Sequence, residues 1–351
     1  MPDASAAIVR RRPPIAIIGA GVAGLTAARL LSQTMPVQLF EAAAVPGGRL
    51  ATCQIEGHSF DHGAQFFTPR HPRFLAEVRR LQEQDLVVPW LARFVEIREG
   101  HITTRRQWNA ESAHYVGTSG MAAIAAAWSD ELDLHLGRRV TGLRHTTDGV
   151  YLFMDKGADQ GPFEFVILAL PPRTTADLLP AGSCLQHVVN APLMKGCFAL
   201  MLGMESLEDV GFDAAIVKDA VISWISVTES RPGHRGPPGI VALASNAWAD
   251  AHHDADHNYI QAKLTEALYC LFGRQLHPLV TGLHHWPQAN SGPVRNNGPL
   301  LDPVHHIALC GDWTRQGRVE AAFLSGAQTA DMVDTMLNPH PGGSVPLHAN
   351  R

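Results

Sequence analysis

Three glycines, Gly19-x-Gly21-x-x-Gly24, follow the short apolar run Ile15-Ala-Ile-Ile18 and precede a helical pattern from Leu25 to about Ser32. The spacing suits a phosphate ligand. The first glycine permits a tight turn. The second lets backbone approach a pyrophosphate, and the third lets helix and strand pack closely. Ala23 stands in the same turn. The phosphate charge would then rest on the helix N-terminus, where free N–H groups and the dipole favour an anion.

Three further groups extend the pattern. Glu41 lies 22 residues after Gly19, at the end of the next apolar run. An acid there can accept hydrogen bonds from an adenosine ribose, and it disfavours a 2′-phosphate. Gly47-Gly48-Arg49 offers backbone amides and a cation for a second pass of phosphate. Far downstream comes Cys310-Gly311-Asp312-Trp313, with Gly317-Arg318-Val319-Glu320 behind it. A strand ending in Gly311-Asp312 can place the carboxylate on ribityl hydroxyls. A helix starting near Val319 can aim its positive end at the flavin N1–O2 edge, where negative charge grows on reduction. The glycine turn alone would suit NAD equally. The ordered set of four points to FAD.

These groups need elements to hold them. Residues 15–18, a helix, and Val37–Glu41 make one β-α-β unit, so the two strands are expected to be parallel with a right-handed connection. Phe74–Leu86 reads as an amphipathic helix. Phe94–Ile97 and Ile102–Thr104 read as a hairpin about Glu99-Gly100. Gly120–Trp128 reads as a helix, and Arg139–His145 with Val150–Met154 as a hairpin about Asp148-Gly149. Phe163–Leu170 is an apolar strand stopped by Pro171-Pro172. Residues 190–303 read as mostly β, with one helix over His257–Phe272 and Pro/Gly-rich loops near 231–239 and 287–299. A last strand, Ile307–Cys310, leads to a helix from about Val319 to Leu337. The segments 1–13 and 339–351 read as tails.

Length and composition bound the rest. A chain of 351 residues suits two domains. A net charge of −5 gives no basic field for nucleic acid. The five cysteines form no C-x-x-C pair and their number is odd, against a disulfide framework or a zinc site. The 19 histidines lack partners at ligand spacing, so no metal is assigned. Arg10–Arg12 before Ile15–Leu31 resembles a secretory leader, but Gly19, Gly21, Gly24 and Arg29 break it. The expectation is a soluble cytoplasmic protein with no membrane span. Its partner is a small molecule, and its oligomeric state is left open.

Asp61-His-Gly-Ala-Gln-Phe-Phe-Thr68, Tyr115-Val-Gly-Thr-Ser-Gly-Met121 and Cys310-Gly-Asp-Trp…Gly317-Arg-Val-Glu…Leu324-Ser-Gly326 resemble the FAD-dependent amine-oxidase superfamily, and within it the bacterial renalase-like proteins. The resemblance covers nearly the whole chain. It implies an α/β plus α+β architecture like that of amine oxidases and p-hydroxybenzoate hydroxylase. A discontinuous Rossmann-like FAD-binding domain (1–72, 118–182, 304–338) would carry a substrate domain on a mixed or antiparallel sheet (73–117, 183–303). It implies FAD, and Cys310, which ends a buried apolar strand and reads as a packed thiol, makes the binding non-covalent. It also implies oxidation of dihydronicotinamide isomers of NAD(P)H, with hydride passing to flavin N5 and O2 reoxidising the flavin to give hydrogen peroxide.

Carried over by resemblance, Gly19, Gly21, Gly24, Glu41, Gly48, Arg49 and Asp312 would bind FAD, with Val140 as a backbone contact beside the adenine. Gln65, Phe66, Phe67, Thr68, Arg70 and Arg318 would face substrate, Phe66 or Phe67 lying over a planar nicotinamide. His284 and Trp286 belong to the same region. There the chain reads His284-His-Trp-Pro-Gln-Ala289 where the group tends to carry Arg, and Glu229 stands where basic or amide residues are common. Both changes lower the positive charge expected near substrate. Two other readings stay open: a flavin amine oxidase or desaturase acting on a small non-phosphorylated substrate, and a non-catalytic FAD-binding redox sensor.

Overall fold

The backbone of Ile15–Ile18 pairs in parallel with Val37–Phe40 on one side and Phe165–Leu168 on the other, as the β-α-β reading requires. In this computed structural model residues 12–111, 113–190, 194–218, 221–292 and 300–339 are described. Residues 1–11, 293–299 and 340–351, read above as tails and part of a loop, lie outside the described residues.

A six-stranded sheet runs in the order 301–302, 307–309, 165–168, 15–18, 37–40 and 134–135. All pairs are parallel except the edge pair Leu301–Asp302 with Ile307–Leu309. The central strands are buried on both faces, which explains their uninterrupted apolar runs. Helices Val22–Leu31 and Val319–Leu337 cover one face. They approach so closely that a Cβ on Gly326 would lie 2.2 Å from the Ala23 carbonyl oxygen. On the other face sits a three-stranded meander of Val140–Thr146, Gly149–Met154 and Gln160–Phe163.

A seven-stranded sheet, in the order 280–291, 194–203, 239–244, 222–227, 214–218, 93–98 and 101–107, forms the second layer system. It is antiparallel apart from the parallel pair 93–98 with 214–218. One face buries Phe198, Leu200 and Leu202 against helix His257–Phe272. The other presents Met201 and Val241 to Phe60, and so roofs the segment that begins at Asp61. The chain is thus a Rossmann-like unit joined to a largely antiparallel seven-stranded sheet. Among the described residues no helix is long and apolar enough to cross a membrane.

Several elements differ from the sequence reading. Pro171-Pro172 does not merely stop a strand: Pro172 starts helix Pro172–Leu178, where a missing N–H costs nothing. Composition marks 287–299 as loop, yet strand Val280–Ser291 runs through Pro287. A register break admits the proline, since Cys197 pairs with Trp286 and Lys195 with Asn290. Leu301–Asp302 joins the first sheet before the expected boundary at 304. Helix Pro72–Glu83, expected in the substrate domain from residue 73, packs Phe74 on Phe323 of the last helix.

Candidate functional site

The glycine turn is built as the spacing requires. Gly19 has φ +103°, and its N–H bonds the Phe40 carbonyl at 2.8 Å. A Cβ on Gly24 would stand 1.9 Å from the Gly19 oxygen, so side chains are barred there by the protein itself. Gly21 is different. Its φ is −75°, and a Cβ on it would meet nothing within 4 Å. Nothing in the protein demands glycine at this position. The cradle fits a group that comes from outside, which is where a pyrophosphate is expected. Helix Val22–Leu31 begins at Gly21 with no side-chain cap, so its first amides remain for an anion. Ala23, expected to touch the cofactor, is buried, and its carbonyl lies against Gly326.

Glu41 ends its strand with both carboxylate oxygens accepting backbone amides, Ala20 N–H and Ala43 N–H, each at 2.8 Å. This fixes the carboxylate beside the turn. Each oxygen keeps a lone pair for a ribose hydroxyl. Gly47 and Gly21 pair as an isolated bridge, and Gly48, at φ +55°, lies over Gly21. Val140 has a buried side chain, and Arg138, two residues earlier, donates its N–H to the Glu41 carbonyl. Gly19 and Glu41 thus lie just past the C-terminal ends of two neighbouring parallel strands inside the six-stranded sheet.

Arg49 and Asp312 were expected to act separately. They form a fork instead, Nη1 to Oδ2 at 2.9 Å and Nη2 to Oδ1 at 2.5 Å, while Nη1 also donates to the Ala289 carbonyl. Gly311, just before, donates its N–H to Ser325 Oγ. Helix Val319–Leu337 starts without a side-chain cap. The positive end predicted for it is therefore open. Arg318, its N-cap residue, is exposed.

The segment from Asp61 to Thr68 is held rigidly, and this corrects part of the substrate list. Gln65 is buried. Its Oε1 accepts from Ser226 at 2.8 Å, Arg231 at 2.9 Å and Trp224 at 3.3 Å, and its Nε2 donates to the Asp61 carbonyl at 2.6 Å. No part of its amide remains for substrate. Phe67 is core, stacked on Tyr115 and packed on Phe74. Phe66 is partly open and leans on Trp108, His114 and Trp224. Arg70 is exposed, and its N–H donates to Glu320.

Ser230-Arg-Pro-Gly233 and Trp224 also resemble the family in sequence, but nothing in the sequence assigns a role to the group behind this segment. Arg231 is buried, pairs with Asp61 at 2.8 Å and lies over the Trp90 ring at 4.9 Å. Asp61 also accepts from Thr52 at 2.5 Å and from the Met121 N–H at 2.8 Å. The available signal was Ser230-Arg-Pro-Gly233, an arginine inside a loop otherwise made of turn formers.

On the roof, His284 and Trp286 share a face of their strand and meet His62. The His62 and Trp286 rings stack at 5.4 Å, and Trp286 Nε1 donates to the His62 carbonyl. Burial, with His62 and His285 nearby, pushes His284 down to about 4; burial lowers His62 as well. This wall is uncharged at neutral pH. His285 points the other way and stacks on Phe198 beneath the outer helix layer, so the loss of arginine there does not alter the roof. Glu229 is exposed on the turn Thr228–Ser230. Cys310 is fully buried and its thiol is pushed up to about 12. Among the described residues no cluster could hold a metal ion.

A family model described as flavin containing amine oxidoreductase matches residues 94–334, and one described as an NAD(P)-binding Rossmann-like domain matches residues 17–81. Among solved structures, the fold resembles a putative protoporphyrinogen oxidase from Exiguobacterium sp. 255-15. Its TM-score is 0.76 and its identity 11%, over 92% of this chain and 99% of that one. Cyclohexylamine oxidase from Brevibacterium oxydans IH-35A matches with TM-score 0.71 and 15% identity, over 93% and 99%. Putrescine oxidase bound to putrescine matches with TM-score 0.65 and 15% identity, over 92% and 99%.

Proposed function

The chain belongs to the flavin containing amine oxidoreductase family, and from that premise we propose that it is a renalase-like oxidase that binds FAD non-covalently and oxidises dihydronicotinamide isomers of NAD(P)H. Gly19–Gly24, Glu41 and Gly47–Gly48 would hold the adenosine and pyrophosphate, and Asp312 the ribityl chain. FAD in that site would supply N5 as hydride acceptor, and O2 would take up the two electrons with the N5 proton and one further proton from solvent, giving hydrogen peroxide. Cys310 is packed, protonated and unsuited to a covalent link.

The observation that carries the substrate reading is the roof. His62, His284 and Trp286 make a neutral aromatic wall, His62 stacked on Trp286 and His284 set edge-on to His62. Two carboxylates beside the site are paired with cations, Asp61 with Arg231 and Asp312 with Arg49, while Glu320 Oε1 accepts the Arg70 and His71 N–H groups. A planar, uncharged dihydropyridine suits such a wall by stacking and hydrogen bonding. An ammonium group would find Asp61 and Asp312 already paired with arginine. The ordering of Asp61–Thr68 by Arg231 and Gln65 would keep that wall in register with the cofactor.

Anaerobic mixing of the holoprotein with the 2- and 6-dihydro isomers of NAD should bleach the flavin within the mixing experiment. Bleaching by a panel of primary amines, with none by the isomers, would replace this reading with the amine-oxidase one. The partly open Phe66, set against Trp224, would then be part of an aromatic cage for that substrate.

A further inference from the structure

A pocket of about 280 Å³ opens between the start of strand Met194–Gly203, the end of strand Val280–Ser291 and the turn before helix Val319–Leu337. Lys195 and Arg318 line it with Asn246, Asn290, Ser291 and Gln316, and among the described residues no carboxylate does. Among the described residues neither cation forms an ion pair. Elsewhere Arg29, Arg49, Arg73, Arg93 and Arg231 each hold a carboxylate. Ser291 Oγ is closed off from solvent and has no partner. Gly317 fixes the floor, since a Cβ there would stand 2.8 Å from the Ser291 nitrogen.

The pocket adjoins the cofactor machinery along both chain segments. Asn290 follows Ala289, whose carbonyl accepts from Arg49. Gln316 lies four residues after Asp312, just past the turn Asp312–Thr314. Two cations facing one cavity repel each other and repel any ammonium ligand. A divalent oxyanion removes both penalties, and arginine and lysine are the side chains that bind phosphate, one as a fork and one as a point charge. The amides supply neutral donors around them.

We propose that Lys195 and Arg318 form a phosphate subsite for the substrate, taking the pyrophosphate of a dihydronicotinamide dinucleotide. This rests on the dihydronicotinamide reading above and adds to it: the ring is held at the neutral wall, and affinity comes from the phosphate arm.

The test uses the holoprotein and two readouts. Calorimetric titration with inorganic pyrophosphate should show one site, weakened by about tenfold or more in Lys195→Gln and in Arg318→Gln, as loss of one charge-assisted hydrogen bond implies. Arg318→Lys should recover part of it. In anaerobic reduction, the KM of the dinucleotide isomer should rise by about tenfold in each Gln variant relative to that of the dihydronicotinamide riboside, which carries no phosphate. Failure of pyrophosphate to bind the wild type, equal binding to all variants, or equal shifts for riboside and dinucleotide would overturn the subsite. If no dihydronicotinamide reduces the flavin but pyrophosphate binding still needs both cations, the functional reading falls and the oxyanion subsite stands. If the flavin is reduced with no dependence on either cation, the reverse holds.

Discussion

The guanidinium of Arg49 holds the carboxylate of Asp312 through two nitrogens, across 263 residues of sequence. Asp312 keeps 7% of its side chain exposed and Arg49 keeps 31%. The pair ties the Gly47–Arg49 turn to the Gly311–Asp312 turn, so the two segments expected to face a flavin are positioned by each other. Charge-assisted forks of this kind combine energy with geometry. Asp312→Asn should weaken FAD binding by about tenfold, since a hydrogen bond to a charged group contributes about 1.5–3 kcal/mol. Arg49→Ala should weaken it similarly, and the double variant should fall short of the product because each single change already frees the partner. Flavin retained through gel filtration, followed by its absorbance, measures this.

The two helix-side glycines separate folding from binding. A Cβ at position 24 would sit 1.9 Å from backbone oxygen. Gly24→Ala must push the helix off the strand and should cost about 3 kcal/mol or more, in the range of severe overpacking. A Cβ at position 21 meets nothing, and φ is ordinary. Gly21→Ala should melt within about 0.5 kcal/mol of wild type as apoprotein, yet purify without flavin. Equal loss of stability in both variants would show that Gly21 serves packing alone.

Covalent attachment is tested more simply. Acid or heat denaturation of the holoprotein should leave the yellow chromophore in the supernatant. The buried, protonated thiol of Cys310 should also resist alkylation in the native state while reacting after unfolding. Flavin that stays with the precipitated chain would reverse the assignment.

What could be read from sequence, and what could not, divides along physical lines. Local rules placed the Gly19–Gly24 turn, the Glu99-Gly100 hairpin and the helix Val319–Leu337, because spacing, turn chemistry and periodicity are properties of neighbours in the chain. They failed where distant chain decides. Gln65 looked like a site residue until Ser226, Trp224 and Arg231 proved to saturate it. Pro287 looked like loop because composition cannot show a register break opposite Lys195–Cys197. His285 sits between two site-facing residues, and only the pairing with Phe198 shows that the alternation turns it away.

Asp61 and Arg231 are both buried and bonded at 2.8 Å. Removing one partner strands a charge. Burial already lowers the Arg231 pKa, the mark of a cation deprived of water. Asp61→Asn should therefore cost about 3–5 kcal/mol, measured by denaturant unfolding. Flavin affinity should fall with it, because the segment Asp61–Thr68 loses its anchor. A loss below about 1 kcal/mol would mean that water reaches Arg231.

The neutral roof predicts how stability changes with acid. His284 titrates at about 4 in the folded protein, against the ordinary value of 6.5, because burial and the neighbouring His62 and His285 disfavour its cation. His62 is lowered too, by burial first. Between pH 6.5 and about 4 the unfolded chain therefore binds more protons at His284 than the folded one. Stability must rise with pH across that window and level off above 6.5. His284→Phe keeps a flat ring on the wall and removes the titration. Its melting temperature should fall less than that of wild type between pH 7.5 and pH 4.5. Parallel falls in the two proteins would show that the acid sensitivity arises elsewhere, and that His284 is charged in the folded state.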